Sequence, residues 1–212
     1  MFGETGLAGV NGMNFGKNEP ILTPAANFSA LSIVRDVVQR RIAPGARCVD
    51  ATAGRGQDTV FLCKLTGENG RVWAFDIQQE AIDSTTALLA KHNLSATVIP
   101  ACHSRMAQYL PADGVDCVLF NFGWLPGSDH TVMTQPDTSI AAVRSAMELL
   151  RPGGMISLCI YYGRESGFAE RDALLGFFPL IDPDRFTVIA AQFFNRPNNP
   201  PFPVFIFRND GP

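Results

Sequence analysis

The chain carries little charge, and its charges nearly cancel. Of its 212 residues, 17% are charged, and the formal net charge is -3. No global basic field would draw in a nucleic acid, so an RNA partner would have to be held by local groups of arginines. Overall charge by itself neither requires nor excludes such a partner.

Long apolar stretches are also missing. No run reaches the roughly 18 apolar residues that a membrane-spanning helix needs, and the first 20 residues lack a basic segment followed by an apolar core. The five cysteines are an odd number, scattered mostly within or beside apolar runs, where a thiol behaves as a small hydrophobic group. We therefore expect a cytoplasmic protein without a membrane anchor or an export signal.

Histidine is scarce as well. The chain has three histidines, and although Cys102 and His103 are adjacent, no four-ligand group occurs at the spacing of a zinc site. We expect no bound metal.

What the chain does have is apolar residues, at 46%, which is enough for one sizeable core. We expect a single domain over residues 21–212. Residues 1–20 are rich in glycine and asparagine and have no sustained apolar period, which predicts a flexible N-terminal extension. From Phe28 to Arg41 apolar residues recur at three-to-four spacing, which predicts an amphipathic helix that ends before Pro44.

Strand-like and helix-like segments then alternate. Strands are expected near 47–51, 71–76, 96–100, 116–121 and 155–161, and helices near 57–65, 79–91, 137–150 and 167–178. The alternation implies a parallel sheet with right-handed crossovers. The runs Phe186 to Phe194 and Phe202 to Arg208 are joined by a short loop and must pair antiparallel. This is the chain order of class I methyltransferases, an α/β, Rossmann-like fold with a seven-stranded sheet, a C-terminal antiparallel hairpin and helices on both faces.

A glycine loop and two acidic residues predict a nucleoside-cofactor site. Asp50 closes the first strand, and Gly54 and Gly56 follow in a loop that opens a helix, whose N-terminus offers unpaired N–H groups. Asp76 ends the second strand, at the spacing from which a carboxylate reaches a ribose hydroxyl pair. A carboxylate at Asp50 would repel a pyrophosphate but suits the ammonium and sulfonium groups of S-adenosylmethionine. The alternative is a structural turn in another α/β fold.

The predicted cofactor residues extend from this loop to the ends of the next strands. His103 follows the third strand, where class I folds bracket the adenine. The full set is Asp50, Ala51, Thr52, Gly54, Gly56, Asp58, Thr59, Asp76, Ile77, Gln78, His103 and Asn121.

A methyl-transfer site is predicted where the fourth strand ends at Asn121, before the segment FGWLPGSDHT. The Asn121 amide oxygen can face an amine. Phe122 or Trp124 can stack on a base or shield the methyl group, although Trp124 and Leu125 could equally cap the core. An amine must arrive neutral, so Asp129 or His130 is a candidate proton acceptor, the alternative being a solvated loop pair.

The segments after strand five and within the hairpin should reach the same edge of the sheet. Asn-Pro-Pro-Phe, at 199–202, is similar to a tetrapeptide of amino-group methyltransferases, although a rigid turn would look the same. The predicted catalytic residues are Asn121, Asp129, Tyr161 and Asn199. The predicted substrate-binding residues are Phe122, Gly123, Trp124, Tyr162, Arg164, Asn198 and Pro200.

The motifs DATAGRGQDT, AFDIQ, FNFGWLPGSDH, ELLRPGG, IYYG and NNPPF occur in that order. Together they resemble the bacterial family labelled "putative rRNA methylase", also called YtqB or MnmM, over roughly residues 25–208. The resemblance implies a cytoplasmic S-adenosylmethionine-dependent enzyme that methylates the aminomethyl group of a modified wobble uridine in the anticodon region of tRNA, completing 5-methylaminomethyl-2-thiouridine.

Other functions remain open from the residues alone. The chain could methylate rRNA or a small metabolic amine, or it could be a non-catalytic module of this fold that binds RNA or a partner protein. Exposed apolar surface on the helices or the hairpin could also support a homodimer. Candidate contacts to RNA phosphates are Arg35, Arg40, Arg41, Arg164 and Arg196.

Overall fold

The computed structural model of the protein describes residues 28–123, 134–162 and 165–209. These residues form helices α1 (Ala30–Arg41), α2 (Gln57–Thr66), α3 (Gln79–Lys91), α4 (Pro136–Leu149) and α5 (Glu165–Phe177), and strands β1 (Arg47–Asp50), β2 (Arg71–Asp76), β3 (Thr97–Pro100), β4 (Val115–Phe122), β5 (Leu150–Ile160), β6 (Phe186–Ala190) and β7 (Phe202–Arg208). Two short 3₁₀ helices span His103–Gln108 and Phe178–Leu180. None of the helices in the described ranges is long and apolar enough to cross a bilayer.

The strands form one sheet in the order β3-β2-β1-β4-β5-β7-β6. Strands β1 to β5 are parallel, whereas β7 pairs antiparallel with both β5 and β6. The predicted fold, a seven-stranded Rossmann-like sheet with a terminal hairpin, is confirmed. Because the strand order reverses between β1 and β4, a crevice opens at their carboxyl ends, where ligands bind in open α/β sheets.

Helices cover both faces of the sheet, as predicted. On one face, α1, α2 and α3 pack through residues such as Val38, Leu62 and Leu89 against the strands. On the other, α4 and α5 pack through Val143 and Leu174 over the aromatic residues of β2 and β4. A strand that is covered on both faces has a nearly continuous run of apolar residues. Strands β4 and β5 were therefore easy to recognise in the sequence.

Helix α1 begins at Ala30, slightly later than the apolar period from Phe28 suggests, because polar side chains fix its N-terminus. Ser29 caps the helix by accepting a hydrogen bond from the Ser32 backbone N–H at 3.1 Å, and the Ser32 hydroxyl accepts the Ser29 N–H at 2.9 Å. Such a reciprocal cap stabilises the first turn. The helix then buries Val34 and Val38, as the predicted amphipathic period requires.

The hairpin strands differ from the prediction in length. Strand β6 was expected to continue to Phe194, but it ends at Ala190, which is paired with Val204. Since β7 begins only two residues before Val204, at Phe202, the residues that follow Ala190 soon have no partner strand. Residues 191–201 therefore form a loop, closed at its base by the Ala191 N–H bond to the Pro203 carbonyl at 3.0 Å.

Several predictions fall on residues outside the described ranges. These are the flexible extension over residues 1–20 and the roles of Trp124, Asp129, His130 and Arg164. They stay predictions, as does the single-domain boundary at residue 21.

Candidate functional site

The glycine loop after β1 brings α2 close to α3. Gly56 has a φ of 80°, and a Cβ atom there would lie 2.9 Å from the Thr85 backbone Cα in α3. Any larger residue would push the two helices apart. Gly54, with a φ of 52°, donates its N–H to Asp76 at 3.0 Å. Gly56 thus allows α2 and α3 to pack closely, and Gly54 bonds the loop to the end of β2.

Asp50 lies beneath this loop rather than in the crevice. Its side chain is wholly buried. One carboxyl oxygen accepts the Thr59 hydroxyl at 2.6 Å, and the other accepts the Thr52 N–H at 3.3 Å. Burial, and next the charge of Asp58, raise the pKa of Asp50 to about 7. Asp50 and Thr59 therefore support the loop from below, and a direct contact of Asp50 with the ammonium group stays a prediction.

Asp76 and its neighbours form the second wall of the crevice. One oxygen of Asp76 accepts the Gly54 N–H and the other accepts the Gln78 N–H, each at 3.0 Å. The side chain is half-buried, so its remaining lone pairs can reach a ligand. Next to it, Ile77 is a large apolar residue with 59% of its surface exposed. A carboxylate beside an open apolar side chain fits a ribose and its base.

His103 lies behind the crevice, in the 3₁₀ helix that follows β3. Its ring makes edge contacts with Phe120 and Phe122, at centroid distances of 5.9 and 6.0 Å. Burial lowers the pKa of His103 to about 4, against the opposing effect of a hydrogen bond to the Ala51 backbone. The imidazole is thus neutral near pH 7, and its buried Nε2 has no hydrogen-bond partner among the described residues. An unpaired acceptor at the position predicted to bracket an adenine is consistent with an adenine-sized ligand.

Asn121 joins the glycine loop to the end of β4. Its backbone N–H bonds to the Thr52 hydroxyl at 2.7 Å, and its amide nitrogen donates to Asp58 at 2.8 Å. These bonds fix the side chain and turn its amide oxygen away from Asp58. Asp58 is also paired at 3.3 Å with Arg35 of α1, whose guanidinium lies over the Phe61 ring.

That ion pair was not anticipated from the sequence. Arg35 was expected to offer a positive charge to RNA. Its guanidinium instead donates a hydrogen bond to Asp58, on the cofactor side of the crevice. The two residues are 23 positions apart and belong to different helices. Neither helix carries a local pattern that signals their contact.

Tyr161 closes the crevice on the β5 side. Its backbone N–H bonds to the Phe122 carbonyl at 3.1 Å, and its hydroxyl lies beside the Cys159 thiol. Burial raises the pKa of the Tyr161 phenol well above its ordinary value and raises the pKa of Cys159 to about 12. Both groups therefore stay protonated and neutral. Tyr161 can donate a hydrogen bond but cannot act as a base at neutral pH.

Phe122 does not contact the crevice. The prediction that it stacks on a base is wrong, because its side chain is wholly buried and stacks on Phe120 at a centroid distance of 5.0 Å. Side chains alternate along a strand, so when Asn121 faces the crevice side its neighbour turns into the core. Gly123 is buried too, and a Cβ there would lie 3.2 Å from the Tyr161 Cβ.

Glu170 of α5 is a buried carboxyl that the sequence did not reveal as part of the site. It accepts the Ser139 hydroxyl at 2.5 Å and the Thr134 hydroxyl at 2.8 Å. Thr134 and Gly123 exchange backbone and hydroxyl bonds, at 3.1 and 2.9 Å. Burial raises the pKa of Glu170, opposed by the two hydroxyl bonds. Glu170 thus anchors both residues that flank the segment 124–133, and only its burial in the fold distinguishes it from other glutamates.

The hairpin loop lies at the same edge of the sheet as the crevice, as predicted. Strand pairing sets Phe202 opposite Ile160 at the carboxyl end of β5, and the Phe202 ring contacts Tyr162 at 5.6 Å. Asn198 and Asn199 are exposed and adopt left-handed backbone angles, with φ of 64° and 49°. Their predicted roles in substrate binding and catalysis, and that of the half-buried Pro200, stay predictions.

No group of three potential metal ligands occurs in the part of the chain that the structure describes. The carboxyl groups of Asp50, Asp76 and Asp58 accept hydrogen bonds from backbone or side-chain N–H groups.

Comparison with known proteins finds similar sequences and structures. The family described as "Putative rRNA methylase" matches residues 72–207. A chloroplastic tRNA (mnm(5)s(2)U34)-methyltransferase of Arabidopsis thaliana is 33% identical over 192 residues, which cover 85% of this chain and 70% of that protein.

Two solved structures are similar to this chain in fold and sequence. A "putative rRNA-methylase" from Clostridium thermocellum matches with a TM-score of 0.84 at 41% identity, covering 87% of this chain and 100% of that one. The methyltransferase SMU.1697c from Streptococcus mutans, solved in complex with SAH (S-adenosylhomocysteine), matches with a TM-score of 0.78 at 33% identity, covering 86% of this chain and 99% of that one.

Proposed function

The chain belongs to the family described as "Putative rRNA methylase", and from that premise we propose that it methylates the 5-aminomethyl group of the wobble 2-thiouridine in tRNA. It is an S-adenosylmethionine-dependent methyltransferase of class I fold. The observation that carries the proposed substrate is the 33% identity to the tRNA methyltransferase over 85% of this chain. The crevice is compatible with this substrate, because the residues suited to the cofactor lie beside the neutral side chains of Tyr161 and Cys159.

The residues present fit S-adenosylmethionine. Asp76 would hold the ribose hydroxyls, with Ile77 against the adenine and the unpaired Nε2 of His103 behind it. The loop residues Thr52 and Gly54 would approach the methionine part. When bound, the cofactor supplies a methyl group on a positively charged sulfur, which an amine can attack in line.

The chain's own contribution to the reaction is positioning. Asn121 is held by Thr52 and Asp58, so its amide oxygen is fixed where it can accept a hydrogen bond from an incoming amine. Holding the nucleophile in line near the methyl group can supply a large part of the rate enhancement of a transfer that needs no covalent intermediate.

The neutral wall made by Tyr161 and Cys159 favours an uncharged amine. Because both groups stay protonated, neither offers a negative charge that would stabilise an ammonium ion. The proton must then leave to another acceptor, for which Asp129 or His130 stays our candidate.

The first test is incubation of the protein with methyl-labelled cofactor and tRNA that lacks the terminal wobble methyl group. Precursor rRNA and small amines serve as parallel substrates, and the labelled nucleoside is identified by mass spectrometry. We expect label on the wobble aminomethyl group. Label only on rRNA or on small amines would overturn the proposed substrate, and binding of cofactor without transfer to any substrate would point to a non-catalytic module.

We further propose that the protein contacts the anticodon region, acts in the cytoplasm and forms a homodimer. The five free thiols support a reducing compartment. The dimer would involve the edge strand β6, where Ile189 is 51% exposed and backbone groups on the outer side have no neighbouring strand in the described sheet. Sedimentation at several concentrations tests the dimer, and a monomer throughout would contradict it.

A further inference from the structure

The loop between β6 and β7 presents a surface that the reaction described above does not use. We call residues 193–199 the hairpin surface. Phe194 at its tip is 99% exposed. Beside it, the Arg196 guanidinium lies over the Phe193 ring, 4.1 Å from its centroid. The surface therefore offers one open aromatic ring and one flat cation already stacked on a second ring.

The hairpin surface lies on the same side of the molecule as the transfer site. Phe202, which ends the loop, is paired with Ile160 at the carboxyl end of β5, and β5 is next to β4, which carries Asn121. Strand β7 is thus two strands from β4, or about 10 Å at the usual strand spacing.

Two prolines restrict the backbone of the loop next to Phe194 and Arg196. Pro197 and Pro200 lie on either side of Asn198 and Asn199, which hold left-handed angles. This restriction lowers the entropy that this part of the loop can lose when it binds a partner.

Charge separates Arg196 from two other arginines that also lie over aromatic rings. Arg35 and Arg171 are paired with aspartates, whereas Arg196 has no ion pair within the described residues. The loop 191–201 contains no acidic residue at all. Its positive charge is thus available to a phosphate.

We propose that the hairpin surface binds unpaired nucleotides of the substrate RNA, with a base stacked on Phe194 and a phosphate at Arg196. This inference rests on the proposed function, because RNA loops are recognised by stacking bases on aromatic side chains and Arg planes. One exposed ring between Phe193 and Asn195 is too small for a stable protein interface, which buries about 800 Å² on each partner.

The test measures binding of a tRNA anticodon stem-loop to the full-length protein, separately from methylation. Phe194→Ala should raise the Kd about five- to a hundredfold, whereas Phe194→Trp should retain affinity, since stacking tolerates any large ring. Leu180→Ala is the matched control, because Leu180 is 77% exposed yet follows α5 at the opposite edge of the sheet. Its affinity for the RNA should not change.

Arg196→Gln should weaken RNA binding and make it less salt-dependent, lowering the slope of log K against log salt by about 0.7 for one lost phosphate contact. Unchanged RNA affinity in both Phe194→Ala and Arg196→Gln would overturn the inference. A Phe194→Ala variant that keeps RNA affinity but sediments at a lower mass would overturn it in favour of an interface between copies.

The two proposals fail separately. If the wild type binds the stem-loop through Phe194 but does not methylate tRNA, the wobble-uridine function is wrong and the hairpin surface stands. If it methylates tRNA equally well with and without Phe194, the function stands and the hairpin surface is wrong.

Discussion

The two halves of the crevice differ in how their polar groups are used. On the cofactor half, formed by β1, β2 and α2, the carboxyl groups of Asp50, Asp58 and Asp76 are each bonded to backbone or side-chain donors. On the transfer half, formed by the ends of β4 and β5, the described titratable side chains include Tyr161 and Cys159, which are both neutral. The cofactor half is therefore acidic and held by hydrogen bonds, whereas the part of the transfer half that the structure describes presents neutral groups.

This difference follows from what each half must hold. The cofactor is positively charged and benefits from acidic surroundings, whereas the amine must lose its charge before it can attack. Asn121 stands on the border, since it bonds to Thr52 and Asp58 on one side and presents an amide oxygen to the other. Substitutions on the two halves should therefore affect different kinetic constants.

The largest effect is expected at this border. Asn121→Ala should lower kcat at least about 100-fold, because the nucleophile loses its positioning, while cofactor affinity changes little. Steady-state kinetics with tRNA and calorimetric binding of S-adenosylmethionine measure the two quantities. Near-normal turnover would remove Asn121 from the transfer site.

Asp76→Ala tests the cofactor half. We expect the affinity for S-adenosylmethionine to fall by about 1–3 kcal/mol, because charge-assisted bonds to the ribose and the Gly54 N–H bond are lost together. Asp83→Ala, which removes an exposed carboxylate of α3, is the matched control. If both variants bind the cofactor like the wild type, Asp76 has no part in holding it.

Glu170→Ala tests whether the halves are separable. The free energy of unfolding should fall by about 1–3 kcal/mol, since the hydroxyls of Ser139 and Thr134 lose their buried acceptor. Turnover should fall as well, whereas cofactor affinity should be retained.

Denaturant titration and cofactor binding provide these measurements. Glu148→Ala, an exposed substitution on α4, should change stability by no more than about 0.5 kcal/mol. A Glu170 variant that loses cofactor binding to the same degree as stability would show that the two halves form one unit.

The smallest expected effect is a pH dependence of the cofactor half. Asp50 has a pKa of about 7, and a positively charged ligand favours its ionised form, so cofactor affinity should rise with pH through about 7. The increase is at most about tenfold per pH unit for one proton. Asp50→Asn should flatten the profile, and a wild-type affinity that falls over the same range would contradict the coupling.

The free energy of unfolding should change with pH in the opposite direction to cofactor affinity. Folded Asp50 keeps its proton up to about pH 7, whereas an unfolded aspartate releases it near pH 4, so its contribution to stability is lost as pH rises through that window. Unfolding of the cofactor-free protein, measured with and without Asp50→Asn, checks the sign.

Local sequence patterns were sufficient to predict the architecture of the sheet. Alternating apolar segments predicted the parallel sheet, and the close spacing of Phe186 and Phe202 required an antiparallel hairpin because no helix fits between them. The acids at the ends of β1 and β2, with the glycines between them, placed the cofactor crevice, since the carboxyl ends of neighbouring parallel strands meet at one edge.

Other features depended on contacts between distant parts of the chain. Phe122 was expected to face the substrate but lies in the core, because the register of β4 turns Asn121 to the crevice instead. Strand β6 ends at Ala190, opposite Val204, only two residues from the start of β7 at Phe202.

The sequence by itself determined the order of strands and helices along the chain, the kind of cofactor and the edge of the sheet at which it binds, because these follow from apolar periods and from short motifs at the ends of strands. Tertiary structure alone decided that Asp50 lies beneath the glycine loop, that Arg35 pairs with Asp58 and that Glu170 anchors Gly123 through Thr134. Burial and pairing depend on which distant side chains fill the space around a group, and no short stretch of sequence contains that information.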